Sequence, residues 1–99
     1  MALVISDSST LIHLAGIGRI ALLQELFQRL TIPNAVWREV VLEGKGRAGT
    51  AELEAAFQAG WIELAAPANE PLLRLLNRDL DEGESEVIAL AIEREATMV

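Results

Sequence analysis

Residues 2–14 read ALVISDSSTLIHL, and their pattern decides the fold. Leu3-Val4-Ile5 is a short apolar run with two β-branched residues. Such a run suits a buried strand of a parallel sheet. It stops at the small polar residues Ser6 to Thr10, and Leu11, Ile12, Leu14 and Ala15 follow at helical spacing. The reading is strand, turn, helix, with Asp7 at the carboxyl end of the strand. In open α/β sheets ligands bind at those ends. Asp7 also has a plain structural role open to it, since Asp and Ser cap helices by accepting a backbone N–H.

The rest of the chain alternates in the same way. The periodicity predicts a helix over 19–29 and a strand over 30–32 ended by Pro33, with Asn34 as N-cap of a helix over 35–42. Residues 44–49, GKGRAG, form a glycine-rich basic loop that lacks the spacing of a phosphate-binding P-loop. It reads as a mobile linker or as a basic flap. A helix over 50–59 ends at Gly60, with Leu53, Ala56 and Phe57 inward. A strand over 61–64, a loop over 67–71, a short helix built on Leu72 to Leu76, a helix over 81–95 and a strand starting at 96 complete the order. Strands alternating with helices give an α/β class with a parallel sheet in a single domain.

Composition narrows the function. The 99 residues carry a net charge of −7 and are 52% hydrophobic. The mean hydropathy is +0.31 and the isoelectric point about 4.6. That balance argues against a protein that coats a duplex through a broad basic surface. It leaves nucleic acid open as a substrate, because carboxylates can meet phosphate through a metal ion. All the basic residues but Lys45 are Arg, the type suited to bidentate phosphate contacts. No cysteine is present, no apolar run approaches the ~20 residues of a membrane span, and the start lacks a signal-peptide pattern. A cytoplasmic protein with no membrane contact is expected.

Two further carboxylates are candidates for convergence on Asp7. Glu39 lies beside the apolar stripe of Val36 and Val40, with Glu43 one turn later as its competitor. A carboxylate at a core edge is costly unless paired or metal-bound. Glu84, Val87, Ile88 and Ala91 fall at offsets of one helical face, so Glu84 is expected to head the buried face and Glu86 to point elsewhere. Asp81 and Glu84 also have the spacing of a capping box, which spacing alone favours. His13 has no partner ligands and reads as structural or surface-exposed. No Ser-His-Asp set can be assembled.

The segments VISDSSTLIHLAGIG, IPNAVWREVV and LDEGESEVIALAIE together give a chain that resembles the PIN-domain family, and within it the VapC-type toxin-like branch. The resemblance implies a three-layer α/β/α domain over 1–99 with a central parallel sheet. It implies an acidic pocket that binds Mg²⁺ or Mn²⁺ and cleaves single-stranded or structured RNA. Asp7, Glu39 and Glu84 match the family's acids, as both metal-holding and catalytic residues, and Ser9 matches a small residue supporting the first acid. Arg38, Lys45 and Arg47 are candidates for steering the RNA backbone.

Relative to the family pattern the chain stops before a fourth acid and the closing strand and helix. A C-terminally incomplete domain is therefore expected, and with it the alternative of a catalytically inactive module that binds an antitoxin. An uncovered sheet edge would also favour a homo-oligomer. Phosphoryl-transfer readings fall behind, because the chain lacks the D-x-D of a haloacid-dehalogenase-like site and the neighbouring acids of a receiver domain.

Overall fold

The computed structural model describes residues 3–44 and 47–99, so Lys45 of the basic loop lies outside the described residues. Four strands form one parallel sheet: β1 (Val4–Ile5), β2 (Leu30–Pro33), β3 (Ile62–Ala65) and β4 (Thr97–Met98), in the spatial order β3-β2-β1-β4. Six α-helices flank it among the described residues: α1 (Ser8–Gly16), α2 (Ala21–Phe27), α3 (Asn34–Trp37), α4 (Thr50–Ala59), α5 (Glu70–Leu76) and α6 (Glu82–Arg94). The α/β class and the parallel sheet expected from the sequence are what the chain adopts, in keeping with an α/β/α domain.

The sheet follows from the apolar runs. All four residues of β2 are buried, as a central parallel strand requires. Pro33, which has no N–H to give, ends that strand. Ile5, Leu11, Ile20, Leu30, Ile32, Val36, Val40, Leu53 and Leu90 form the centre of the core. Burying each aliphatic side chain contributes about 1.5–3 kcal/mol.

The strand order places a crevice. The chain steps outward from β1 to β2 to β3, then crosses back to lay β4 on the other side of β1. The order reverses between β1 and β4, and at such a switch point the flanking connections diverge and leave an opening at the strand ends. There the backbone splits: Ser6 N–H donates to Thr31 O of β2, and Asp7 N–H donates to Val99 O just past β4. Asp7 therefore leaves the sheet at the mouth of the crevice.

Several expectations need correcting. The 35–42 helix is not uniform: α3 ends at Trp37 and continues as a π-helical turn, Arg38–Leu42. The π bond runs from Glu43 N–H to Arg38 O at 2.7 Å. Asn34 is the first residue of α3 rather than its cap. The N-cap is Pro33, which has no side-chain acceptor, and a carboxylate from α6 serves in its place. The 67–71 loop is shorter than expected, because α5 begins at Glu70 with Pro71 in its first turn, where a missing N–H does no harm.

The glycine-rich loop is not wholly a linker. Arg47–Gly49 forms a 3₁₀ turn, and Gly49 is buried against α1. A Cβ on Gly49 would lie 2.5 Å from Ala15 Cβ, so only glycine allows the approach. Phe57 faces outward but packs on Trp37 with the rings tilted at 48° and their centroids 5.4 Å apart.

Candidate functional site

The site is built on the beginnings of α1 and α6 and on the π turn after α3, at the carboxyl end of β1 and β2. Asp7 caps α1 by accepting the Thr10 N–H on Oδ1 at 2.8 Å. Capping and placement in the crevice coexist, because one carboxylate oxygen suffices for the cap. Ser9 is exposed in the first turn of α1 and lines the same cleft.

Glu39 is the second residue of the π turn and half-buried. Val36 and Val40 on either side of it are fully buried, so packing of the apolar stripe fixes the backbone that carries it. π turns recur at functional sites because the extra residue re-aims a side chain. Glu43, the competing acid, ends the turn in an exposed position and faces the outer part of the groove.

The start of α6 supplies the rest. Asp81 Oδ1 accepts the Glu84 N–H at 2.8 Å, and Glu84 Oε1 accepts the Asp81 N–H at 3.4 Å, a reciprocal capping box. Glu84 does not head the buried face. It is exposed, and the buried positions are Gly83, Ser85, Val87, Ala89 and Leu90. The packed stripe is Gly83, Val87 and Leu90, centred one position earlier than the apolar spacing suggested. The reason is Gly83: lacking a side chain, it lets α6 press against α3.

That contact brings Glu39 and Asp81 together. The position of a Cβ on Gly83 lies 3.5 Å from Glu39 Oε2, 3.5 Å from Val36 Cγ2 and 3.6 Å from Asp81 Oδ1. Two carboxylates from distant parts of the chain thus flank one glycine. Glu86, expected to point elsewhere, is half-buried, and its Oε1 accepts the Ala35 N–H at 3.0 Å. It caps α3 from a neighbouring helix.

The resulting cleft has a volume of about 470 Å³ and is lined by Asp7, Ser8, Ser9, Ile12, Glu39, Asp81, Gly83 and Glu84. A second cleft of about 200 Å³ continues it past Glu39, Asp81 and Gly83 to Arg38, Glu43 and Glu82. Arg38 Nη2 and Glu82 Oε1 pair at 2.7 Å across that outer part, and the bond to Glu82 holds the guanidinium above its ordinary pKa. An apolar crevice of about 270 Å³ adjoins Asp7 and Glu84 beneath Met98 and Val99, along the β1/β4 junction.

Asp7, Glu39 and Glu84 therefore border one cleft. Among the described residues, however, no three carboxylate or imidazole side chains converge closely enough to hold a metal ion. Asp7, Asp81 and Glu84 are turned toward their own helix starts. The donor set is all oxygen, which suits a hard divalent ion and disfavours zinc. Sequence reading missed Asp81 as a wall of the cleft and Glu86 as a clamp. Gly83 was the available signal, since glycine early in a helix is unfavourable by about 1 kcal/mol and marks a close approach. His13 is exposed on α1, and Arg47 is exposed on the 3₁₀ turn. No helix among the described residues is long and apolar enough to cross a membrane.

No curated protein and no solved structure matches the chain. The model of a family described as DUF3368, PIN domain, matches residues 3–99. With the matched span covering nearly every residue of this parallel α/β sheet and its acidic cleft, the chain belongs to the PIN-domain family.

Proposed function

We propose that the cleft is the active site of a Mg²⁺- or Mn²⁺-dependent endoribonuclease of the toxin-like PIN type, acting in the cytoplasm on single-stranded or structured RNA. The observation that supports this most is the shared lining of one cleft, at the switch point of the sheet, by Asp7, Glu39, Asp81 and Glu84. Asp7, Glu39 and Glu84 would hold the ion, with Asp81 beside Glu39 as a further oxygen donor. Bound there, a divalent ion polarises a phosphodiester and lowers the pKa of an attacking water. The protein's own part is to aim carboxylates from rigid helix starts and to seat the ribose-phosphate chain along the groove. Ser9 supports the wall next to Asp7. To close on one ion, the side chains must swing inward from their caps, which low-barrier rotamer changes permit.

The test is cleavage of labelled single-stranded RNA in Mn²⁺. Asp7→Asn keeps the shape and the capping oxygen but removes a charge, and should lower the rate by at least about a hundredfold, the scale on which removing one electrostatic group acts. Undiminished cleavage by that variant, or cleavage in EDTA, would refute the mechanism.

A second reading has its own support. The separated carboxylates, with Asp7, Asp81 and Glu84 engaged in helix caps, suit a non-catalytic module that binds an antitoxin protein. Such a module would show no heat of Mn²⁺ binding by titration calorimetry, whereas the nuclease would. Self-association is also proposed. β4 is an outer strand with Met98 53% exposed, and Ile92 on α6 is 60% exposed. An outer strand flanked by exposed apolar side chains invites pairing with a second copy. Sedimentation in physiological salt distinguishes dimer from monomer.

A further inference from the structure

The groove is hostile to its own substrate. Its described lining carries Asp7, Glu39, Glu43, Asp81, Glu82 and Glu84 but a single basic residue, Arg38. Arg38 follows Trp37, whose ring packs on Phe57, and precedes Glu39 in the π turn. Arg38 thus lines the outer part of the acidic cleft beside Glu39. The guanidinium reaches across to Glu82 in the first turn of α6 at 2.7 Å, with Glu86 and Glu43 also near enough to act on it. Both partners of the pair are about half or more exposed. An exposed pair of this kind is weak and exchanges readily. Guanidinium has five donors in a planar fork, matched to two oxygens of a phosphate.

Resting on the ribonuclease reading above, we infer that Arg38 is the phosphate anchor of the groove and that Glu82 is its resting competitor. Substrate binding exchanges the Glu82 carboxylate for a backbone phosphate one residue away from Glu39. The exchange places the sugar-phosphate chain along the line from Arg38 past Gly83 to Asp7. Arg38 acts here as a binding residue, and Glu82 as a positioning residue that tunes access to it.

The inference predicts opposite effects from the two halves of one ion pair. Binding of a short fluorescein-labelled single-stranded RNA is measured by anisotropy in EDTA, where no cleavage intervenes. Arg38→Ala should weaken binding by about tenfold, the scale of one hydrogen-bonded charge contact. It should also reduce the salt dependence by about 0.7, the slope for one phosphate on a single strand. Arg38→Lys should fall between, since it keeps the charge and loses the fork. Glu82→Gln should tighten binding by about threefold, beyond Glu25→Gln, which makes the same charge change on α2. That contrast separates anchoring from mere stability, because a structural ion pair would weaken binding from either side.

Unchanged binding and slope in Arg38→Ala would overturn the inference. So would a Glu82→Gln affinity no tighter than that of Glu25→Gln. If wild type cleaves RNA in Mn²⁺ while these variants behave alike, the nuclease reading stands and the anchor falls. If wild type neither cleaves nor binds, both fall.

Discussion

Glu86→Ala tests how the cleft wall is held. The Glu86 carboxylate accepts the Ala35 N–H at 3.0 Å and is the acceptor found at the start of α3, whose own N-cap is Pro33. Removing it leaves a donor at a buried residue without its partner, because Ala35 is 4% exposed. A hydrogen bond to a charged group contributes about 1.5–3 kcal/mol. A negative charge at a helix start adds about 0.3–1 kcal/mol. Glu86 is only half-buried, so water can recover part of this. The expected loss is therefore about 2 kcal/mol, a large share of the ~5–15 kcal/mol of a whole domain. For a chain of this length it appears as a fall in Tm of roughly 8–16 °C. Glu86→Gln keeps an acceptor and should lose only about 1 kcal/mol. The assay is urea unfolding followed by circular dichroism, with both variants and wild type at one pH. A Glu86→Ala stability within about 0.5 kcal/mol of wild type, the scatter of neutral surface changes, would refute the clamp.

Two other substitutions probe the packing around the site. Ser85 is fully buried on α6 and its hydroxyl has no hydrogen-bond partner among the described residues. Ser85→Ala should raise stability by about 1 kcal/mol, since a buried unsatisfied hydroxyl is unfavourable by about 1–3 kcal/mol and the small void left behind offsets a few tenths; a loss in thermal unfolding would show that the hydroxyl is bonded after all. Gly49→Ala should cost about 1–3 kcal/mol by overpacking against Ala15, read as a lower urea midpoint at unchanged slope.

The parts of the fold written locally were legible in the sequence. The apolar run before Asp7, the Gly60 stop of α4 and the Asp81–Glu84 capping box are each decided within a few residues, and the chain adopts them. What escaped was set by contacts between distant segments. The π turn carries no signal of its own. It arises where α3 must pack on α6 while keeping Val36, Val40 and Val41 buried. Helical offsets placed Glu84 on the buried face because they assume that the largest side chains define it. In fact a glycine does, by letting the neighbouring helix approach. For the same reason Glu86 looked like a solvent-facing acid, although a helix start fifty residues earlier was waiting for its carboxylate. Phe57 was misplaced by a similar assumption, its partner being the half-buried ring of Trp37 at the edge of the core.

The backbone hydrogen bond from Asp7 to Val99 has a consequence in time as well as in space. Nearly the whole chain lies between its two ends, and the two-residue ladder of β1 with β4 is equally non-local. Pairings of this kind form late, because a large loop must close before any contact rewards it. β2 and β3 are joined by the much shorter crossover through α3 and α4, so their pairing closes a smaller loop, and α3 can dock on α6 before the outer strand arrives. Asp7 meanwhile is held only by its own helix start. The order of events thus leaves the mouth of the cleft as the last region to be completed and, by the same token, the first to open. Amide exchange at Asp7 and Val99 should accordingly be faster than at Ile32, well below the conditions that unfold the domain.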